Sequence, residues 1–235
     1  MATLILSPLS PDYTMIYNWK KIRFDQELYI MINEKHLSMY KNFDFFKSLK
    51  FFSVTNWSPN NIYKVFREEI PLQNVNNIFS YDEHDVEIAA KMRDYLGIPG
   101  QKTLSSLIFR NKYFMTKHAT DSDIKTPLFQ KVVDLLDIYS FIDKHGLPVI
   151  LKPLTDSGGK KVHKIFTKSD VDKLNKLNLN HQYLIESYIN YPLYHVDGLW
   201  TKEKKLRFLS ISKYLGNGGL NYQSSKSSGS FQIST

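Results

Sequence analysis

The stretch PVILKPLTDSGGKK, which runs from Pro148 to Lys161, carries the most informative pattern in the second half of this chain. It opens with a short apolar run that ends on Lys152, and it closes on a turn that contains Gly158 and Gly159. A short apolar run bounded by turn residues is typical of a buried strand. A lysine ammonium at the end of such a strand can neutralise phosphate oxygens, and a glycine turn lets backbone N–H groups approach them closely. The stretch therefore predicts a strand and a turn suited to a phosphate.

Each of these features also has an ordinary structural explanation. Lysines at strand ends are usually solvated, and a glycine pair between two strands is more often only a tight turn. The order of features along the chain favours the nucleotide interpretation, because Lys112 at a helix start, Lys152, the glycine turn and Glu186 at a strand end each suit one part of a nucleotide.

The pattern around this stretch predicts a small unit of strands and helices. Helices are predicted from Leu135 to Lys144 and from Ser169 to Leu177. Strands are predicted at Leu128 to Lys131, Pro148 to Pro153, Val162 to Phe166 and Tyr183 to Ser187.

The first hundred residues alternate strand and helix patterns, which predicts a parallel α/β layer. The best helix prediction is Glu83 to Leu96, with a capping box formed by Ser80 and Glu83 and a stop signal at Gly97. Strands are predicted at Thr3 to Ser7, Glu27 to Asn33, Lys50 to Val54 and Asn76 to Phe79. No glycine follows the first strand closely enough to form a dinucleotide-binding turn.

A domain boundary is predicted near Pro99 and Gly100, followed by a helix from Leu104 to Phe109 and another that starts near Asn111. Further on, Tyr194 to Trp200 and Lys205 to Tyr214 predict a hairpin whose turn spans Thr201 to Lys204. The end of the chain, Gly216 to Thr235, predicts a loop, linker or tail because it is rich in Gly, Ser and Asn. A hairpin without further strands is a poor place for a domain to finish, so we expect a truncated domain.

Composition excludes several classes of function. The chain has no cysteine, so a disulfide, a thiolate zinc site and a cysteine nucleophile are excluded. No apolar run reaches the roughly 20 residues of a membrane helix, so we expect a soluble, cytoplasmic protein without a membrane partner. The net charge of +8 suits an anionic ligand. The basic residues are interleaved with acidic ones, which favours a lysine-rich surface over a nucleic-acid interface.

Several short motifs follow one another in a fixed order: Arg110 to Lys112, Met115 to Lys117, Pro148 to Pro153, Ile185 to Ile189 and Tyr194 to Gly198. Together they resemble the ATP-grasp superfamily, most closely the carboxylate–amine ligases related to biotin carboxylase and carbamoyl phosphate synthetase. Residues 81–100 are similar to the linker helix that those proteins carry ahead of their ATP-binding lobes. The resemblance covers about residues 76–214.

The resemblance implies an α/β fold with a Rossmann-like pre-ATP-grasp domain followed by an incomplete ATP-grasp fold. The expected divisions are residues 1–100 for the first domain and 101–190 for a small α+β nucleotide-binding lobe. Residues 191–235 would form the start of the C-terminal catalytic lobe and a Ser/Gly-rich tail.

The resemblance also assigns roles to individual residues. It implies that Lys112 contacts the α-phosphate of ATP, and that Lys152 contacts the α- and β-phosphates and the adenine edge. The loop around Gly158 would close over the γ-phosphate, and Asp197 matches a family aspartate on a strand that faces the active site. The implied phosphate loop also includes Ser157 and Gly159, and the implied adenine hinge comprises Glu186, Ser187, Tyr188 and Ile189.

The chain departs from the family pattern at three places. Gly159 stands where a serine is usual and Lys161 stands where a glycine is usual. Leu193 stands where a glutamate usually accepts hydrogen bonds from the ribose hydroxyls. The carboxylates that ligate Mg²⁺ are expected beyond Thr235, so no metal ligand is assigned in this chain. Asp197 and Glu203 are conceivable substitutes, although Glu203 lies in a predicted turn where solvation is the expected state.

These patterns lead to three functional hypotheses. The first is an ATP-dependent ligase, in a truncated form or fragment, that activates a carboxylate as an acyl phosphate for attack by an amine. Its partners would be ATP with Mg²⁺ and small carboxylate and amine substrates, with a homodimer as one option for its assembly. The second is a non-catalytic relative that binds a nucleotide or a partner and lacks the metal site. The third, a polynucleotide binder, rests on net charge alone.

Overall fold

The computed structural model describes residues 1–14, 26–42, 49–156, 159, 161–177, 179, 182–201, 203–215 and 229–233. The chain divides into two compact units, Met1–Arg110 and Asn111–Thr235. The predicted division into three domains, with limits at residues 100 and 190, stays a prediction. Among the described residues, no helix combines the length and the apolar content needed to cross a bilayer.

The first unit is built on a parallel sheet of four strands in the order β3-β2-β1-β4. Every residue of the first strand is buried, which is the mark of a sheet covered on both faces. The predicted parallel α/β architecture is therefore confirmed. The four strands are β1 (Ala2–Ser7), β2 (Glu27–Asn33), β3 (Lys50–Val54) and β4 (Val75–Ser80).

Helices cover both faces of this sheet. One face packs against α3 and α4, which contribute the buried residues Phe66 and Met92 to the core. The other face packs against Tyr40 of α2, whose hydroxyl is 2.9 Å from the Ser7 hydroxyl. The α-helices of this unit are α1 (Pro11–Thr14), α2 (Leu37–Lys41), α3 (Pro59–Glu68), α4 (Val86–Leu96) and α5 (Thr103–Arg110).

The start of α4 differs from the prediction. A short 3₁₀ turn, Glu83–Asp85, precedes the helix, and the Asp82 carboxylate accepts a hydrogen bond from the backbone N–H of His84 at 2.8 Å. The predicted capping box of Ser80 and Glu83 is therefore wrong, because Asp82 lies closer to the first free N–H groups and caps them itself. The Ser80 hydroxyl instead donates to the carbonyl of Asp82.

The end of α4 is as predicted, and Arg93 fastens the chain that follows it. Gly97 adopts the left-handed conformation at the C-cap, with φ of 66°. The Arg93 guanidinium donates to the carbonyl of Ile78 at 2.7 and 3.0 Å and to the carbonyl of Gln101 at 3.0 Å. Gly100 has φ of +122°, and a Cβ built there would lie 2.8 Å from the Arg93 side chain, so glycine is needed at this crossing.

Helix α5 is fastened to the same unit by two polar contacts. The Asp94 carboxylate accepts from the backbone N–H of Thr103 at 2.9 Å. The Arg110 guanidinium lies 3.1 Å from the Glu83 carboxylate, and only 14% of the Arg110 side chain is exposed. The first compact unit therefore continues to the last residue of α5.

The second unit contains an antiparallel sheet in the order β5-β8-β6-β7. Its strands are β5 (Phe129–Val132), β6 (Val149–Pro153), β7 (His163–Ile165) and β8 (Tyr183–Ser187). Its helices are α6 (Lys112–Asp121), α7 (Leu135–His145) and α8 (Lys168–Asp172), with a 3₁₀ turn at Lys173–Lys176. One face packs against α7 and α8 through a core that includes Leu151, Ile185, Phe141 and Val171.

The same unit contains a second antiparallel sheet in the order β11-β10-β9. The predicted hairpin is formed by β9 (Tyr194–Trp200) and β10 (Leu206–Tyr214). The prediction of a loop or tail after Leu215 is wrong in part, because β11 (Ser230–Gln232) pairs with β10. Backbone hydrogen bonds to the edge of β10 hold this strand, and they do not depend on apolar side chains. Residues 216–228 lie outside the described residues.

Replacing Arg93 by methionine should destabilise the first unit. The methionine keeps much of the apolar stem but removes the guanidinium donors, and hydrogen bonds to charged groups contribute about 1.5 to 3 kcal/mol each. Urea denaturation of the Arg93→Met variant should show this loss, whereas Lys91→Met, which removes an exposed cation from the same helix, should change little. Equal stability of the two variants would contradict the bracing role of Arg93.

Asp85 should make the stability of the first unit depend on pH. Its side chain is 2% exposed, and burial raises its pKa to about 6, although hydrogen bonds from the Trp57 indole oppose the rise. The folded state therefore holds a proton that the unfolded state releases, and stability falls as pH rises from about 4 to about 6. The Asp85→Asn variant should lack this decline and should be more stable at pH 7, by up to about 3 kcal/mol. Parallel curves of unfolding free energy against pH for the two proteins would refute this assignment.

Candidate functional site

The candidate site lies on the face of the β5-β8-β6-β7 sheet opposite to α7 and α8. Along β6, Val149 and Leu151 point to the core, so Ile150 and Lys152 point to the other face. Glu186 lies directly opposite Ile150 in the register of β6 with β8, which places its side chain on the same face as Lys152. Helix α6 contacts this face, where the rings of Tyr113 and Phe129 lie 5.9 Å apart.

Lys152 and Glu186 form a shielded ion pair. The Lys152 ammonium nitrogen lies 2.5 Å from a carboxylate oxygen of Glu186, and the two side chains are 24% and 10% exposed. Removing one partner from such a pair leaves a charge in a poorly solvated place, which is strongly unfavourable. An ammonium has three N–H donors, so after one bond to Glu186 it can still donate to an anion on the open side.

Lys112 is directed toward the chain that leaves β6. Its backbone N–H donates to the carbonyl of Leu154 at 2.8 Å, and its ammonium donates to the carbonyl of Asp156. The helix start is fixed by Asn111, which is 8% exposed and whose side chain accepts from the backbone N–H of Tyr113 at 3.0 Å. Because Lys152 lies on β6 two residues before Leu154, both predicted phosphate-binding lysines are placed at the same end of this strand.

Sequence reasoning included Asp156 in the turn but gave it no role of its own, although it contacts two lysines. Its carbonyl accepts from Lys112, and its carboxylate lies 3.2 Å from the ammonium of Lys161. The only signal in the sequence was its position directly before the glycine turn. This residue therefore joins the start of α6 to the loop that follows β6.

Only part of the predicted phosphate loop can be described. Ser157 and Gly158 lie outside the described residues. Gly159 has φ of +69°, and Lys161 has φ of +55°. A left-handed backbone costs a residue with a side chain roughly 1 kcal/mol more than glycine, which explains why glycine is the usual residue at the position of Lys161.

Two backbone N–H groups of the predicted adenine hinge are hydrogen-bonded within the protein. The backbone N–H of Ser187 donates to the carbonyl of Leu128 at 2.9 Å, and that of Tyr188 donates to the carbonyl of Pro148 at 3.0 Å. These two N–H groups close the end of the sheet and are used within the fold, and the adenine hinge of Glu186 to Ile189 stays a prediction. Across the described part of the chain, the N–H of Ile189 has no acceptor, and its side chain is 52% exposed.

Asp197 lies on the second sheet, where it is opposite Ser210. Its side chain is 68% exposed, and its carboxylate is 3.6 Å from the imidazole of His195. Within the described ranges, no hydrogen bond or ion pair joins Asp197 to Lys112, Lys152 or Glu186. Its catalytic role stays a prediction.

No cluster of candidate metal ligands is found among the described residues. Proteins usually hold Mg²⁺ through one or two carboxylates, with substrate phosphates and water completing an octahedral set of oxygens. In the described ranges no three His, Asp or Glu side chains converge as such a set. Glu186 is engaged with Lys152, and Glu203 is an exposed turn residue as predicted.

The chain is similar in sequence to one known ligase and in fold to several solved structures. No protein-family model matches the chain. An L-arginine-specific L-amino acid ligase of Bacillus subtilis is 29% identical over 147 residues, which cover 59% of this chain and 35% of the relative. The L-amino acid ligase of Bacillus licheniformis superposes with a TM-score of 0.64 at 16% identity, over 90% of this chain and 50% of that one.

Two further solved structures show the same fold with bound nucleotides. N5-carboxyaminoimidazole synthetase of Staphylococcus aureus, complexed with ADP, superposes with a TM-score of 0.67 at 13% identity, over 95% of this chain and 60% of that one. The biotin carboxylase domain of the Hydrogenobacter thermophilus 2-oxoglutarate carboxylase, in complex with MgADP and bicarbonate, gives 0.64 at 14% identity, over 90% and 49%. This chain spans about half the length of these structures. The chain therefore has the ATP-grasp fold, in the form found in carboxylate–amine ligases.

Proposed function

We propose that this chain carries the nucleotide-binding part of an ATP-dependent ligase that joins a carboxylate to an amine. The observation that carries the proposal is the placement of Lys112 and Lys152 at one end of β6, with Lys152 held by the shielded carboxylate of Glu186. A surface lysine would have no need of a buried partner. Two oriented ammonium groups beside a glycine-containing loop match the charge of a polyphosphate.

Both lysines contact the phosphates of ATP. Lys152 binds the α- and β-phosphates with the donors that Glu186 leaves unused, and Lys112 binds the α-phosphate. To do so, the Lys112 ammonium exchanges the carbonyl of Asp156 for a phosphate oxygen, which is favourable because an anion is a stronger acceptor than a neutral carbonyl.

The adenine base lies against the chain that leaves β8. Since the N–H groups of Ser187 and Tyr188 are already used within the sheet, the N–H of Ile189 donates to a ring nitrogen of the base. The exposed Ile189 side chain offers apolar contact area for the flat ring.

The proposed reaction has two steps, formation of an acyl phosphate and its attack by an amine. A carboxylate oxygen of the substrate attacks the γ-phosphorus of ATP, the bond to the β-phosphate oxygen breaks, and ADP leaves with that electron pair. The amine of the second substrate then attacks the carbonyl carbon of the acyl phosphate, inorganic phosphate leaves, and the amine loses a proton. The part of this chemistry that we assign to this chain is the positioning of the triphosphate and the neutralisation of its charge by Lys112 and Lys152. A Mg²⁺ ion bound to the triphosphate would help to neutralise its charge, and no residue among those described is assigned to hold it.

Two of the similar proteins suggest a class of substrates for this chain. Both the Bacillus subtilis and the Bacillus licheniformis proteins are L-amino acid ligases. L-amino acids are therefore the first carboxylate and amine substrates to test.

A second candidate is a relative that binds a nucleotide without catalysis. It is favoured by the lack of a carboxylate cluster in the described ranges and by Leu193, which cannot accept a hydrogen bond through its side chain from a ribose hydroxyl. ATP binding without any release of ADP or phosphate, across a panel of L-amino acids, would select this candidate.

Replacing Lys152 should weaken ATP binding. Loss of a charge-assisted hydrogen bond to phosphate predicts a rise in Kd of roughly ten-fold or more in the Lys152→Met variant, measured by calorimetry. That variant leaves Glu186 without its cation, so the double variant Lys152→Met/Glu186→Gln separates folding from binding. We expect the double variant to unfold at a higher temperature than Lys152→Met and still to bind ATP weakly. Lys168→Met, an exposed change on α8, serves as the control, and unchanged affinity in both Lys152 variants would contradict the phosphate assignment.

Replacing Ile189 tests the adenine assignment through the backbone. Ile189→Pro removes the N–H group, and loss of one neutral hydrogen bond predicts weaker ATP binding by roughly five-fold to ten-fold. Ile189→Ala keeps the N–H and should bind within about two-fold of the original, because only side-chain contact changes. Equal affinities of the proline and alanine variants, with similar melting temperatures, would refute a role of this N–H group.

A further inference from the structure

A cavity opens between α3 and α4 in the first unit, and none of its lining residues is assigned to the nucleotide. Its volume is about 340 Å³, within the usual range for small-molecule pockets of roughly 300 to 1,000 Å³. Phe66 and Met92 form its floor and are 3% and 1% exposed. The cavity is lined by Tyr63, Phe66, Arg67, Lys91, Met92 and Tyr95.

Helical spacing creates this cavity. Tyr63 and Arg67 are four residues apart on α3, and Lys91 and Tyr95 are four residues apart on α4, so each pair lies on one flank of its helix. The ring of Tyr95 meets the ring of Phe66 edge to face at 6.1 Å, and the Arg67 guanidinium lies 5.8 Å from the centre of the Tyr95 ring. The wall is therefore held in place by contacts within the protein before any ligand arrives.

The lining combines an apolar interior with positive charge at the rim. Arg67 and Lys91 are exposed cations at the opening. One acidic residue, Glu87, lies near Tyr63, and burial together with this carboxylate raises the pKa of the Tyr63 hydroxyl. The hydroxyl is therefore a neutral donor, and the lining residues themselves carry two positive charges. An apolar floor with cations above it is complementary to an amphipathic anion.

We propose that this cavity binds a small aromatic carboxylate, with its ring over Phe66 and Met92 and its carboxylate between Arg67 and Lys91. The ring is favoured because the edge-to-face arrangement of Phe66 and Tyr95 offers aromatic walls to a third ring. A carboxylate is favoured because the planar guanidinium of Arg67 can donate two parallel hydrogen bonds to it. This site is additional to the proposed ligase function and does not depend on it.

Indole-3-acetate and its neutral analogue indole-3-acetamide provide a matched pair of probes. Calorimetry and protein-detected NMR on the whole chain should show that the acid binds more tightly than the amide, with shift changes centred on α3 and α4. The double variant Arg67→Glu/Lys91→Glu should weaken binding of the acid by roughly ten-fold or more, because both charge-assisted contacts are lost. The variant Tyr95→Ala should weaken both probes, since it removes an aromatic wall from a surface position.

Two controls make the test decisive. Lys35→Glu/Lys64→Glu changes the net charge by the same amount at exposed positions outside the cavity and should leave the affinity for the acid unchanged. Lys152→Met changes the proposed nucleotide site and should also leave it unchanged. No binding at millimolar probe, equal weakening by the two charge-reversal pairs, or loss of binding in Lys152→Met would each overturn the proposal. The last result would place the probe at the nucleotide site, and the ligase proposal would be unaffected.

Discussion

The candidate site depends on one interaction, the ion pair between Lys152 and Glu186 on neighbouring strands. Neither side chain is well solvated, so each charge requires the other, and the direction of the Lys152 ammonium is set by the register of β6 with β8. The opposite face of the same strands holds the core against α7 and α8, which fixes that register, since a slip by one residue would carry the apolar side chains to the wrong face. The site is thus oriented by the packing behind it.

Each unit contains a partly buried cation, and the contacts of the two differ. In the first unit, the Arg93 guanidinium donates three hydrogen bonds to the carbonyl groups of Ile78 and Gln101. These bonds hold the chain that follows α4. In the second unit, Lys152 makes one contact with a carboxylate, which leaves donors available. The two cations therefore differ in the donors that they have left for a ligand, and burial alone would not reveal that difference.

Much of the fold was predictable because its signals are local. The strands β2, β3, β8 and β9 have the predicted limits, since each is a run of strand-forming residues between turn residues. The order of the lysine and glycine motifs was visible for the same reason. Two predictions failed because their causes are non-local or competitive. Strand β11 forms through pairing with β10, and Asp82 replaces Ser80 as the cap of the following helix. The link from Asp156 to Lys112 spans 44 positions of sequence, which no local pattern can specify.

Asp156 gives the site an unequal response to ionic strength. Its carboxylate holds Lys161 through a pair whose side chains are 54% and 37% exposed, whereas its carbonyl holds Lys112 through a partly buried hydrogen bond. Dissolved ions weaken exposed ion pairs, and they act far less on a shielded bond to a neutral carbonyl. Rising salt therefore releases Lys161 before Lys112, so a single residue anchors one lysine that is sensitive to the medium and one that is not.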